Sequence, residues 1–241
     1  MRLSELTTEE VRGHLSRPPT CVLIPVGSVE PHGPHLPLGT DTLISETAAL
    51  RACAALAGKG VTAVVAPSVP YGVTEFAEGF AGAVSIPAEV LTALLRALAT
   101  RLLADGWSHV TLVNNHLEPA HDAAVRHAAQ GLRASVASPL TRRWARTLTD
   151  EFKRGDCHAG RYETSLVLAA GGFVRDEHRA LPPLGVSLAD AIRAGKSRFR
   201  DLGMDRAYTG APAEATRMEG EASYERLVAM IVTEVMEGLA R

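Results

Sequence analysis

The chain has 241 residues, 46% hydrophobic and 22% charged, which is the balance of a folded globular protein and excludes a disordered one. A formal charge of −2 and a pI near 6.5 supply no basic field, so no nucleic acid is expected as a partner. The cysteines Cys21, Cys53 and Cys157 are too few and scattered for a disulfide framework. No run is long and uncharged enough to span a bilayer, and residues 1–10 carry no apolar leader, so a cytoplasmic protein without a membrane partner is expected.

The length suits a single domain over 1–241. In chain order, the apolar run Cys21-Val-Leu-Ile-Pro-Val26 reads as a buried strand, followed by a helical pattern over 42–57 and a second strand over 61–66. Residues 67–86 are rich in Gly and Pro and too long for an ordinary connection, so a lid or binding loop is expected there. Pro87 opens a helix over 87–105, in which Val90, Leu91, Leu94, Leu95, Leu98 and Leu102 recur at helical spacing. A strand at 109–113, a helix at 118–130, a strand at 134–138 and a helix at 160–170 follow. An irregular stretch over 171–220 precedes a last helix at 221–239. Strands separated by helices predict the α/β class, a mainly parallel sheet flanked by helices.

Two clusters of metal-type ligands follow two of these strands: Glu30-Pro-His32 with Asp41 after the first, and His116-Leu-Glu118 after the third. Sites in open parallel sheets collect beyond the carboxyl ends of the strands, so ligands far apart in sequence can meet there. Glu30 and His32 are two residues apart and share a face when extended, as do His116 and Glu118. Asp41, just before a helical run, is placed to cap that helix and turn its free oxygen toward a metal. Cys157 adjoins His158, but sequence neighbours rarely form a thiolate-imidazole pair, so an ordinary thiol is expected.

The string Val26-Gly-Ser-Val-Glu30-Pro-His32-Gly-Pro-His35-Leu-Pro-Leu-Gly-Thr-Asp41-Thr resembles the signature of the creatininase family of metal-dependent amidohydrolases. Asn114-Asn-His116-Leu-Glu118 resembles that family's Asn-Gly-His-x-Glu element, and His158-Ala-Gly-Arg-Tyr-Glu163 its His-Ala-Gly-x-x-Glu element. The resemblance implies a creatininase-like fold with two divalent ions per chain. One would be held by Glu30, Asp41 and His116, the second by His32, Asp41 and Glu118, with Asp41 between them. Mixed nitrogen and oxygen ligands suit Zn2+ or Mn2+ and are compatible with Fe2+. The catalytic residues implied are His158, as proton shuttle to the departing nitrogen, Glu163, and Glu118. A closed homo-oligomer, up to a hexamer, is also implied.

The substrate-facing positions depart from creatininase itself. Leu117 and, by spacing, Arg154 stand where aromatic residues enclose its ligand, and Thr74 keeps a hydroxyl where a Ser-type contact would sit. A guanidinium in place of a stacking surface favours a substrate with a carboxylate or another acceptor over a flat cyclic guanidine. Trp107, Trp144 and Phe76 are further candidates for the pocket lining, against core packing as the ordinary role of any one of them. The leading expectation is hydrolysis of a small-molecule amide, lactam or formamide. The alternatives are a peptidase trimming a short precursor peptide, as another branch of the family does in maturing a peptide-derived redox cofactor, and creatinine hydrolysis. A non-catalytic metal-binding regulator is the reading from a different class.

Overall fold

The run from Thr20 becomes the central strand because hydrocarbon covers both its faces. A computed structural model describes residues 1–241. In chain order it contains α1 (Thr8–Leu15), β1 (Thr20–Val26), α2 (Thr40–Ala57), β2 (Thr62–Val65), α3 (Ala88–Ala104), β3 (His109–Asn114), α4 (Pro119–Ala129), β4 (Ala134–Ala137), α5 (Arg142–Ala145), α6 (Asp150–Arg154), α7 (Arg161–Ala169), α8 (Leu188–Arg193) and α9 (Arg217–Leu239). The four strands form one parallel sheet in the order β2-β1-β3-β4. Val22 is in register with Val64 on one side and Val110 on the other.

Alternation along β1 divides the core. Cys21 and Leu23 enter a cluster with Ile44, Leu56, Leu166, Tyr224 and Ile231, from α2, α7 and α9. Val22, Ile24 and Val26 enter the opposite cluster with Leu91, Leu95 and Val125, from α3 and α4. Pro25 is tolerated in a central strand because its N faces the side where β2 has already ended. Pairing with β2 stops at Leu23, and the Pro25 carbonyl instead accepts from the Val69 N–H at 2.9 Å. The long α9 packs on α7 through Gly220, where a Cβ would lie 1.9 Å from the Ser165 carbonyl oxygen.

The expected α/β architecture is therefore present, each predicted strand within a residue or two of its observed ends. Two helix starts differ. The last helix begins at Arg217, because Thr216 caps it by accepting from the Glu219 N–H at 3.1 Å. The first long helix begins at Thr40, so Asp41 lies inside its first turn and is not its cap; no side chain caps it. The carboxylate of Asp41 is thereby left wholly to the site, where the positive helix end favours it. No helix is long and apolar enough to cross a membrane.

Candidate metal centre

The cluster is assembled from three chain segments beyond the carboxyl ends of β1 and β3. Glu30 and His32 follow β1, Asp41 opens α2 and His116 follows β3; all four are buried. Asn114 shapes the last of these turns: its Oδ1 accepts from the His116 N–H at 3.0 Å and its Nδ2 donates to the His116 carbonyl at 3.1 Å. Ser45, one turn beyond Asp41 on α2, donates to the Val26 carbonyl at 2.8 Å and accepts from both the N–H and the Nδ2 of Asn115 at 3.1 Å. One hydroxyl thus ties β1, α2 and the turn after β3 together.

Each of three imidazoles spends one nitrogen on a backbone carbonyl. His32 Nδ1 donates to the Glu30 carbonyl at 3.1 Å, His116 Nε2 to Val73 at 2.7 Å and His158 Nε2 to Pro31 at 3.0 Å. That fixes the ring orientations and aims the other nitrogen of each ring at the carboxylates, the arrangement that orients metal-ligating histidines. His32 Nε2 lies 3.1 Å from Asp41 Oδ1 and 3.6 Å from Glu163 Oε2. His116 Nδ1 lies 3.0 Å from Asp41 Oδ2 and 3.2 Å from Glu30 Oε1. Asp41 Oδ2 is buried and has His116 Nδ1 as its near neighbour. Glu30, Asp41 and His116 therefore converge as one possible ligand set, and His32, Asp41 and Glu163 as another. Glu30, His32 and His158 form a third grouping that shares their members.

The electrostatics fit a cation site. Burial alone would depress His32, but Asp41, Glu163 and Glu30 hold it protonated up to about 10. His116 is likewise lifted well above its ordinary range by Glu30 and Asp41 against the effect of burial. Burial raises Glu30 and Asp41, yet the facing imidazoles dominate and hold Glu30 down at about 2 and Asp41 low as well. Burial lifts Glu163 to about 8. Buried carboxylates this close need positive charge between them, supplied here by protons that a divalent cation would displace.

Glu118 is placed differently from the expectation that paired it with His32. Its carboxylate accepts from the Glu75 and Phe76 N–H groups at 3.0 and 3.3 Å, so it stands at the cavity wall and outside the three ligand groupings. Glu163, in the first turn of α7, stands beside His32 in its stead, while its Oε2 also accepts from the Ala159 N–H at 2.7 Å. The 67–86 stretch, expected as a lid or binding loop, is the frame behind these groups. Gly72 to Thr74 are buried, Val73 holds His116, and the Thr74 hydroxyl donates to Glu30 Oε2. Thr74, expected as a substrate contact, turns its hydroxyl to Glu30 and is not among the residues that line the cavity.

A cavity of about 240 Å³ opens on the cluster, with Glu30, Asp41, His116, Glu118, His158 and Glu163 on its polar side. Leu117 lines it as expected, and so does Phe76, for which core packing is the ordinary expectation. Arg154 does not: it is exposed and turns to Asp156 at 3.3 Å, because α6 presents Lys153 to the cavity in its place. Trp107 is buried among the residues of the α3 and α4 core. Trp144 packs against the other core and donates its Nε1 to Glu234 at 2.8 Å. Cys157 also lines the cavity, and burial pushes its thiol well above the ordinary range, in keeping with the ordinary thiol expected of it. Sequence reasoning missed Phe199, whose ring lies 4.5 Å from that of His158. It also missed Ser45, although the step of four from Asp41 on one helix face was a usable signal.

An open parallel sheet with imidazoles and carboxylates converging beyond its carboxyl edge defines a metal-dependent amidohydrolase. The chain belongs to the creatininase family, whose sequence model, described as creatinine amidohydrolase, matches residues 4–235. A mycofactocin precursor peptide peptidase of Mycobacterium ulcerans is 34% identical over 230 residues, 91% of this chain and 84% of that protein. Its counterpart in Mycolicibacterium smegmatis is 35% identical, covering 86% of this chain and 81% of that one. A creatinine amidohydrolase of Pseudomonas putida is 27% identical over 48% of this chain and 45% of its own. Among solved structures, one described as creatininase Mn superposes with a TM-score of 0.75 at 20% identity, covering 99% of this chain and 98% of the other. At that identity the likeness concerns the fold.

Proposed function

We propose that this protein hydrolyses the amide C–N bond of a short peptide or peptide-like substrate, using two divalent cations. The observation that carries the metal chemistry is the set of three histidines, each anchored to a backbone carbonyl and each turning its free nitrogen to the same buried carboxylates. In this reading Glu30, Asp41 and His116 hold one cation, and His32, Asp41 and Glu163 hold the other. Held by these residues, divalent cations would supply Lewis acidity to the scissile carbonyl and to the attacking water. Relatives named as being manganese and Zn-Zn forms of creatininase support either metal.

Glu118 lines the cavity, and burial lifts it to about 7, which matches it to accept a proton from the attacking water. His158 is kept neutral, lowered to about 4 by burial and by His32. Its Nδ1 faces the cluster at 3.8 Å from Glu30 and is placed to carry a proton to the departing nitrogen. That proton is needed because an unprotonated amide nitrogen leaves poorly. Phe199 and His32 flank the His158 ring, with centroids at 4.5 and 4.7 Å and rings tilted by 31° and 36°.

The peptide assignment is favoured because relatives named as peptidases align over nearly the whole chain, whereas the creatinine amidohydrolase aligns over about half of it. The second reading, a small amide or lactam, is favoured by the family's description and by the 240 Å³ cavity. Metal analysis with a panel of short peptides, amides, lactams and creatinine separates the two. Turnover of peptides alone supports the first, and turnover of creatinine or lactams without peptides overturns it. Activity that survives complete chelation overturns both.

A further inference from the structure

One side of the cavity is built of hydrocarbon, and apart from Phe199, which backs His158, it takes no part in the chemistry just described. Leu117 and Phe152 form part of it, and the rest comes from α8 and its continuation through Leu188, Ile192 and Phe199. The Leu188 N–H donates to the Gly155 carbonyl at 2.8 Å, and the Val186 N–H to the Thr209 hydroxyl at 3.0 Å. Gly155 has φ 81°, and a Cβ there would come within 3.0 Å of Ala189 Cβ, so only glycine lets α6 and α8 approach so closely. Downstream, the Phe199 N–H donates to the Phe76 carbonyl at 2.9 Å, Arg198 pairs with Glu78 at 2.7 Å and Arg200 donates to the Gly79 carbonyl at 2.9 Å. This wall is thus tied at one end to α6 and at the other to the loop whose amides hold Glu118.

Its placement decides what can lie beside a carbonyl presented to the cluster. A polar group pressed on Leu188, Ile192 and Phe152 would lose water against hydrocarbon, and the neighbouring cation of the lining, Lys153, is already paired with Asp150 at 3.0 Å, whereas a hydrocarbon group gains by leaving water. Leu188 is half-buried and Ile192 is 38% exposed while lining the cavity, so both present surface for an incoming group to cover.

We propose that Leu188 and Ile192, backed by Phe152, form the specificity subsite of this enzyme. The substrate it selects carries a bulky aliphatic or aromatic group next to the scissile amide rather than a compact polar ring. The choice of an amide rests on the hydrolase reading above; the selectivity of the wall rests on the cavity alone.

Binding tests it without turnover. Metal-loaded protein is titrated calorimetrically with acetohydroxamate and with phenylacetohydroxamate, which share a metal-seeking head and differ by an aromatic arm. The arm is expected to tighten binding at least roughly tenfold in the parent protein. In Leu188→Ser/Ile192→Ser the gain should fall below about threefold, with metal content and acetohydroxamate affinity unchanged. Ile192→Ser alone, at a partly exposed position, gives an intermediate ratio and serves if the double variant does not fold. A parent with no preference, or variants that keep the parental ratio, overturns the subsite. The hydrolase reading is scored separately: arm-selective binding with no amide cleaved sinks that reading and leaves the wall. Equal kcat/KM for glycinamide and phenylalaninamide derivatives sinks the wall and leaves the hydrolase.

Discussion

Glu163 Oε2 lies 3.6 Å from His32 Nε2, although 131 residues separate them in the chain and the second carboxylate of the His-x-Glu element lies elsewhere. Glu118, expected with His32 at the metal, and Glu163, expected in a catalytic role, are in different places: one at the cavity wall under two backbone amides, the other among the imidazoles.

That difference is measurable as metal content. Glu163→Gln is expected to lower bound metal from about two ions to about one per chain, because an amide oxygen is a poor replacement for a carboxylate ligand. Glu118→Gln is expected to keep the metal and lose about 10²–10⁴-fold in kcat. Elemental analysis of both purified variants decides the matter; the reverse pattern would return Glu118 to the metal.

The Ser45 hydroxyl serves the Val26 carbonyl and two Asn115 donors at once. Ser45→Ala leaves them unpaired in a buried place, which should cost about 1–3 kcal/mol. For a chain of this size that is a fall in Tm of roughly 2–10 °C. It should also loosen the metal by about tenfold, since groups behind the ligands tune affinity on that scale. A variant with parental Tm and parental metal affinity would show the hydroxyl to be dispensable.

Gly220 sits where α9 crosses α7, and an added Cβ would meet the Ser165 carbonyl oxygen at 1.9 Å. No rotamer change relieves a clash with backbone, so Gly220→Ala must push the helices apart. The expected loss is about 3 kcal/mol, read from urea unfolding. A loss under about 0.5 kcal/mol, typical of surface substitutions, would mean that the helices do not approach so closely.

His109 gives the protein an acid sensitivity away from the site. Burial first, and then Arg241 and Arg133, lower it to about 4, while its Nε2 shares a hydrogen bond with Ser135 at 2.9 Å. The unfolded chain binds this proton near pH 6.5, whereas the folded one resists it down to about 4. The unfolded state therefore holds more protons across that interval, and stability falls as pH drops from 6.5 toward 4. His109→Gln should flatten this part of the Tm-against-pH curve. An unchanged slope between those values would remove His109 as the cause.

Much of this was legible in the residues. Strands at 20–26, 62–65, 109–114 and 134–137 announce themselves by apolar runs with turn residues beyond them, and α3 by its leucines. The motifs also placed Glu30, His32, Asp41 and His116 in segments that the structure brings together, because loops after parallel strands open on one edge. What spacing missed has a common cause. Asp41 belongs to the first turn of α2 because the helix starts at Thr40, a boundary set by backbone bonding that no side chain caps. Arg154 and Lys153 are neighbours, and which of them lines the cavity depends on the rotation of α6 against α8.

By itself, then, the sequence determined the parallel sheet, the family and which imidazoles and carboxylates follow β1 and β3, since each depends on local periodicity or on contiguous motifs. Only the tertiary structure decided which carboxylate stands with His32, which loop supports His116, and that α8, inside an apparently irregular stretch, walls the cavity. Those outcomes depend on side-chain directions between segments more than forty residues apart, where the packing of helices and loops selects among partners that composition and spacing leave equivalent.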